Sequence, residues 1–280
     1  MSIKDPAWYD AMYNNRALVP DHPAYFERWA RLSAVAREEL ECELDVRYGD
    51  APGETLDVFP SGQPGSPVLV FIHGGYWRAL DKRDHSFVAP AFTREGACVV
   101  VPNYALCPDI TVPGIAVQMV RAVSWVWRNI HEFGGDASRI TVAGHSAGGH
   151  LAALLATCEW TAWDARLPAD LLRSALSISG LHDLDPIMRT PFLQPSLQLT
   201  PRDVERASPA RLPAPASTVL YAVAGGDESE EYHRQCALMR EVWGAQRVPV
   251  CEILEGLNHF SILDSLTQGP ARLQIGRAHV

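Results

Sequence analysis

The chain has 280 residues, of which 47% are hydrophobic and 20% charged, a composition typical of one globular domain. Its formal charge is −9, and the Lys and Arg residues are scattered, which argues against nucleic acid and anionic membranes as partners. The first ten residues lack an apolar signal core, and no apolar run approaches the roughly 20 residues that cross a bilayer. The six cysteines are widely spaced without a metal-binding pattern, so we expect reduced thiols, no metal site and a cytoplasmic location.

The N-terminal segment, residues 1–40, is predicted to be helical. Apolar side chains between residues 25 and 40 recur at helical spacing: Phe26, Trp29, Leu32, Ala36 and Leu40. A helix packed on the core is the favoured interpretation, and a flap over a pocket is the alternative.

The rest of the chain alternates short β-branched runs with longer amphipathic stretches, the pattern of a mostly parallel sheet covered by helices on both faces. This predicts an α/β fold, with a single domain over residues 1–267. We expect strands at 68–72, 97–101, 139–143, 175–179, 218–223 and 248–254, helices at 86–94, 112–132, 147–158, 230–243 and 260–266, and an antiparallel edge formed by 41–47 and 54–59.

Two segments depart from this alternation. The connection over residues 180–216 carries seven prolines and is far longer than a usual strand-to-helix loop, so it is a lid candidate. Within it, Thr200 followed by Pro201 and Asp203 has the form of a helix start. Residues 268–280 lose the helical pattern and are predicted to be an irregular, non-native tail.

The stretch GHSAGGH, residues 144–150, fits the G-x-S-x-G pattern between a predicted strand and a predicted helix. Glycines allow the backbone to turn sharply there, which presents Ser146 above the sheet at a helix N-terminus. Such a turn can be purely structural, but in this context it predicts that Ser146 is a nucleophile.

A serine nucleophile needs a base and an acid that orients the base, and in this fold they follow in the order serine, acid, histidine. Asp227 follows the strand predicted at 218–223, and His259 follows the next one. Asp183 also follows a strand and is the alternative acid. We expect His145 and His150 to pack or to form hydrogen bonds near the turn.

The stretch FIHGGYW, residues 71–77, follows the first strong strand, and its glycines allow backbone N–H groups to converge on an oxyanion. We assign the oxyanion donors to Gly75, Tyr76 and Ala147, although Gly74 also remains open. Trp77 and the aromatic residues of the N-terminal helix are candidate substrate contacts. The alternative for all of them is burial in the core.

These motifs give the chain a resemblance to the serine-hydrolase type of kynurenine formamidase (arylformamidase), within the α/β-hydrolase fold. The resemblance covers most of the chain, including HGGYW, GHSAGGHLAALL, SGLHDLDP, GGDESEEYHRQ and NHFSILDSL. It implies a triad of Ser146, Asp227 and His259, and an oxyanion cradle at residues 74–77. It also implies hydrolysis of N-formyl-kynurenine to kynurenine and formate without a metal or cofactor.

The favoured function is therefore a serine hydrolase that cleaves a small acyl group, formyl above all, from an arylamine through an acyl-enzyme. A general short-chain carboxylesterase is the first alternative. A non-catalytic small-molecule receptor on the same fold is a third hypothesis, but such conversions lose a triad member, whereas this chain keeps all three. The expected partner is a small-molecule substrate, and a homodimer remains open.

Overall fold

The computed structural model describes residues 3–267, so the predicted tail at 268–280 lies outside the described residues. Within this range the chain contains eight strands: β1 Glu43–Arg47, β2 Thr55–Phe59, β3 Ser66–Ile72, β4 Cys98–Pro102, β5 Gly135–His145, β6 Leu172–Ile178, β7 Val219–Gly225 and β8 Val250–Leu254. They form one sheet in the order β1-β2-β4-β3-β5-β6-β7-β8. The pairs β1/β2 and β2/β4 are antiparallel, and every other pair is parallel. The predicted antiparallel edge and parallel centre are therefore confirmed.

The helices surround this sheet, and several short 3₁₀ turns connect them. Their bounds are α1 Pro6–Tyr13, α2 Asn15–Leu18, α3 His22–Glu39, α4 Ala89–Thr93, α5 Val112–Asn129, α6 Ala147–Ala156, α7 Trp160–Trp163, α8 Asp185–Met188, α9 Gln194–Leu197, α10 Pro201–Ala207, α11 Glu230–Trp243 and α12 Asp264–Thr267. No helix among residues 3–267 combines the length and apolar character that a membrane span needs.

Strand β3 shows how the sheet separates two apolar cores. Val70 and Ile72 point to the face covered by α5, α6 and α11, whereas Leu69 and Phe71 point to the face covered by α3 and α4. This alternation is the period-2 geometry of a strand buried on both faces. Trp29 of α3 belongs to the second core and is 1% exposed, so this helix packs on the core as predicted.

Some predicted helices are interrupted in the structure. The helix expected at 112–132 ends at Asn129 and continues as a 3₁₀ turn over Ile130–Phe133. The helix expected at 86–94 begins with a 3₁₀ turn, and so does the one expected at 260–266. The start predicted at Thr200 is confirmed, since Thr200 and Asp203 form a reciprocal capping box.

The loop after β3 is fastened to the antiparallel edge by a buried ion pair. The Lys82 ammonium contacts the carboxylate of Asp57 on β2, and it lies 2.7 Å from Asp45 Oδ1. Lys82 and Asp57 are 5% and 1% exposed. Because Ala79 and Leu80 of the same loop line the cavity described below, this pair also fixes part of a cavity wall.

Replacing Lys82 by Met is expected to lower the free energy of unfolding by about 3–5 kcal/mol, because it leaves the Asp57 carboxylate buried without its partner. Urea denaturation measures the change. The double variant Lys82→Met/Asp57→Leu should lose less than the single variant, and Lys4→Met, at an exposed lysine, should change little. A loss below about 1 kcal/mol for Lys82→Met would show that the pair does not hold this loop.

Candidate active site

Ser146 lies at a sharp turn between β5 and α6. Its backbone has φ 57° and ψ −117°, in a region that L-residues rarely adopt. Its N–H donates to the carbonyl of Ile178 at 2.8 Å, which ties the turn to the neighbouring strand β6. The side chain therefore leaves the end of a central strand at the N-terminus of α6.

The turn at Ser146 exists only because glycines surround it. A Cβ on Gly148 would lie 2.0 Å from the carbonyl oxygen of Ile72, and one on Gly144 would lie 2.2 Å from the carbonyl oxygen of Gly148. A Cβ on Gly74 would lie 3.2 Å from Cβ of Ser146. The glycines of GHSAGG and HGG thus let three backbone segments approach one another around the serine.

His259 follows β8, and its imidazole is held by a buried carboxylate. Its Nδ1 lies 3.2 Å from Oε2 of Glu228, and the two side chains are 6% and 0% exposed. The other oxygen, Oε1, accepts hydrogen bonds from the Gly225 N–H, at 2.9 Å, and from the Ser179 hydroxyl. The ionised carboxylate can only accept, so it binds the Nδ1–H tautomer and leaves Nε2 of His259 as a proton acceptor.

The structure pairs His259 with Glu228 and not with Asp227, the carboxylate that the sequence pointed to. Asp227 is exposed at the outer corner of the turn after β7, whereas Glu228 donates its N–H to Gly225 at 3.2 Å and its side chain returns to His259. Glutamate has one methylene more than aspartate, which lets the Glu228 carboxylate reach from the turn to the His259 ring. Asp183 pairs with Arg211 instead, at 3.2 Å. The adjacent carboxylate was visible in the sequence, and this fold accepts either Asp or Glu as the acid.

The neighbouring histidines have structural contacts, as predicted. Nε2 of His145 lies 2.8 Å from the carbonyl oxygen of His259 and therefore carries the proton of that hydrogen bond. Burial, and then the nearby His259, hold the pKa of His145 well below its usual value, so its ring is neutral. Nε2 of His150 contacts the Ala207 carbonyl at 2.6 Å, and burial lowers the pKa of His150 to about 3.

The loop over residues 75–77 follows β3 in an unusual left-handed conformation. The φ angles of Gly75, Tyr76 and Trp77 are 103°, 50° and 54°. Gly75 and Tyr76 line the same cavity as Ser146. Ala147 is the first residue of α6, a position whose N–H has no partner inside the helix. These backbone positions suit an oxyanion cradle, and their roles as donors stay a prediction.

Trp77 does not contact the cavity, which corrects its interpretation as a substrate contact. Its indole is fully buried and packs edge-on against His150, with ring centroids 4.9 Å apart. The left-handed turn directs this large ring into the core, where it buries apolar area. From the N-terminal helix, by contrast, Phe26 and Trp29 do line the cavity.

A network of phenols borders the cavity that contains Ser146, and no motif in the sequence predicts it. The Tyr76 hydroxyl donates to the Tyr13 carbonyl at 2.6 Å and lies 2.7 Å from the Tyr232 hydroxyl. Asn15 Nδ2 donates to the Tyr232 hydroxyl at 2.7 Å. Since Tyr76 gives its only proton to Tyr13, Tyr232 donates to Tyr76.

A cavity of about 280 Å³ opens above Ser146 and His259. Aromatic and polar side chains from the N-terminal helices, the loop after β3, the segment over residues 180–216 and the turn after β8 form its wall. They include Asn14, Asn15, Arg16, Phe26, Trp29, Tyr76, Arg78, Phe192, Ser196 and Phe260. Among residues 3–267, no group of three or more His, Cys, Asp or Glu side chains could hold a metal ion. The site therefore offers a serine, a buried histidine–carboxylate pair and a partly open pocket.

Comparison with known proteins shows which family and which fold this chain shares. The BD-FAE family model matches residues 56–173. Kynurenine formamidase of Danio rerio is 32% identical over 240 residues, which cover 82% of this chain and 79% of that protein. A solved structure assigned as a thioesterase, from Silicibacter sp. TM1040, has a TM-score of 0.82 at 27% identity and covers 94% and 96% of the two chains. A thermophilic carboxylesterase from a metagenomic library has a TM-score of 0.71 at 18% identity, covers 88% and 92%, and shows the shared α/β-hydrolase fold.

The phenol network predicts how stability depends on pH. Burial raises the pKa of Tyr76 and Tyr13 well above that of a free tyrosine, with smaller contributions from Tyr232 and from the Glu231 carboxylate respectively. Burial also raises the pKa of Tyr232. In the unfolded chain these phenols lose their protons near pH 10, while the folded chain retains them, so the free energy of unfolding should fall above about pH 10.

Phenolate absorbance and urea denaturation, followed together from pH 8 to about pH 11, test this prediction. The variant Tyr76→Phe/Tyr232→Phe should show a smaller loss of stability over the same range. Ionisation of all eight tyrosines in the folded protein near pH 10 would contradict the prediction.

Proposed function

The chain belongs to the kynurenine formamidase family of α/β-hydrolase enzymes, and on that premise we propose that it removes a formyl group from an arylamine through Ser146, His259 and Glu228. N-formyl-kynurenine, hydrolysed to kynurenine and formate, is the proposed substrate. The observation that carries the proposal is the buried His259–Glu228 pair, which shares a cavity with the strained Ser146 turn.

In the first half of the reaction, Nε2 of His259 takes the proton of the Ser146 hydroxyl as its oxygen attacks the formyl carbon. The Glu228 carboxylate orients the ring through Nδ1 and stabilises the imidazolium that forms. Backbone N–H groups at Gly75, Tyr76 and Ala147 would bind the oxyanion of the tetrahedral intermediate. His259 then gives its proton to the arylamine nitrogen as the carbon–nitrogen bond breaks.

In the second half, water attacks the formyl-serine ester, and His259 again acts first as base and then as acid. Formate leaves, and Ser146 recovers its proton. No step requires a cofactor, because the chain's own residues supply the nucleophile, the base and the electrostatic stabilisation. We also propose a cytoplasmic location, which the six free cysteines support.

A short-chain carboxylesterase is the second candidate. It is favoured by the carboxylesterase fold and by the BD-FAE match, which covers the nucleophile and the oxyanion loop. Both candidates use the same triad, so substrate preference alone separates them.

The substrate assignment is tested by measuring kcat/KM on N-formyl-kynurenine and on p-nitrophenyl acetate with the same preparation. We expect a clear preference for the formamide, and Ser146→Ala should lose about 10⁴-fold or more on both substrates because the nucleophile is missing. A fluorophosphonate probe should label the parent protein and not the variant. Preference for the ester would support the carboxylesterase, and an active Ser146→Ala variant would eliminate the mechanism.

The identity of the acid is tested by two variants that replace a carboxylate with an amide of the same shape. Glu228→Gln should lower kcat by about 10³–10⁴-fold, because the amide no longer holds His259 in the correct tautomer or balances its charge. Asp227→Asn should stay close to the parent enzyme and serves as the control. A larger loss for Asp227→Asn would restore Asp227 as the acid.

A further inference from the structure

We propose that Arg16 and Arg78 form an anion-binding subsite in the wall of the active-site cavity, which binds a carboxylate on the leaving-group side of the substrate. The inference rests on the proposed function and extends it from the reacting bond to the remote part of the molecule. It arises from two arginines that the triad chemistry does not use.

Both guanidinium groups contact neutral partners only, and Arg78 is half-buried whereas Arg16 is exposed. Nη1 of Arg78 donates to the Phe192 carbonyl at 3.0 Å and to the Ser196 hydroxyl at 3.1 Å. The Arg78 guanidinium also lies 5.5 Å from the ring centroid of Phe192, and that of Arg16 lies 5.5 Å from the ring centroid of Phe26. These contacts position the two cations without neutralising them.

No carboxylate balances these charges within the described part of the chain. Neither Arg16 nor Arg78 forms an ion pair there, whereas eight other arginines do so: Arg28, Arg83, Arg121, Arg128, Arg166, Arg189, Arg211 and Arg234. The residues that line the cavity include no Asp or Glu. In a protein with a net charge of −9, this cavity wall is locally cationic.

The two arginines also repel each other. Burial lowers the pKa of Arg78, and the positive charge of Arg16 lowers it further. Apart from the two arginines and His259, the basic side chain that lines the cavity is His145, whose ring is neutral because burial lowers its pKa. A bound anion would relieve the repulsion between Arg16 and Arg78, and guanidinium groups suit carboxylates through paired hydrogen bonds.

The rest of the wall determines what carries this anion. Phe26, Trp29, Phe192 and Phe260 line the same cavity, and the rings of Phe26 and Phe192 lie against the two guanidinium groups. A ligand that fits this arrangement has a flat aromatic body near Ser146 and an acidic arm that reaches Arg16 and Arg78. An arylformamide with a carboxylate side arm has this form, and a small neutral ester does not.

The experiment compares N-formyl-kynurenine with its carboxamide, which keeps the formyl group and the shape of the arm but removes its negative charge. The parent enzyme should prefer the acid by about 10- to 100-fold in kcat/KM, the range expected for hydrogen bonds to a charged group. The variant Arg16→Gln/Arg78→Gln should lose most of that preference, chiefly through a higher KM for the acid. Added salt should reduce the preference of the parent enzyme.

Two further variants separate recognition from folding. Arg78→Lys keeps the charge but loses the paired donors, so it should retain part of the preference that Arg78→Gln loses. Arg206→Gln, at an exposed arginine of α10 outside the cavity wall, should retain all of it. Thermal melting of each variant shows whether it remains folded at the assay temperature.

The subsite alone is overturned if the parent enzyme hydrolyses p-nitrophenyl acetate and reacts with the fluorophosphonate probe but treats the acid and the carboxamide alike. It is equally overturned if the folded double variant keeps the full preference for the acid. Failure to hydrolyse any of these substrates, together with an unlabelled Ser146, overturns the proposed function and the subsite with it.

Discussion

The left-handed backbone at Ser146 is the constraint on which the rest of the site depends. A non-glycine residue in such a conformation costs on the order of 1–3 kcal/mol, so the surrounding structure must hold it in place. Here Ser146 donates to Ile178 through its N–H, and its carbonyl accepts from His150 in the first turn of α6. The close approach of Gly148 to Ile72 places this turn directly beside the oxyanion loop.

The start of α11 connects the catalytic pair with the wall of the cavity. Glu228 orients His259, the next residue, Ser229, donates its hydroxyl to the Met12 carbonyl, and Tyr232 joins the phenol network beside Ser146. Glu231 accepts the hydroxyl proton of Tyr13 at 2.6 Å. One short stretch of sequence therefore holds both Glu228, the proposed acid, and the N-terminal segment, so a shift of this stretch would also move the groups around Ser146, the proposed nucleophile.

The sequence predicted the sheet, the turn at Ser146 and the position of His259, because each has a local signature: apolar runs, glycine spacing and a residue that follows a strand. It did not separate Asp227 from Glu228, since only the path of the turn decides which carboxylate faces inward. It offered Trp77 as a candidate substrate contact with burial in the core as the alternative, and three successive left-handed residues direct that ring into the core. Such choices depend on backbone angles that alternating hydrophobicity does not encode.

The N-terminal segment shows why the cavity could not be derived from motifs alone. Asn15, Arg16 and Phe26 are far from Ser146 and His259 in sequence, yet they line the same cavity. The triad and the oxyanion loop are common to many hydrolases and act on the reacting bond. Discrimination between substrates must therefore come from side chains that contact the remainder of the molecule. In this chain those side chains are aromatic rings and two unpaired arginines, a combination that favours an acidic aromatic substrate over a neutral ester.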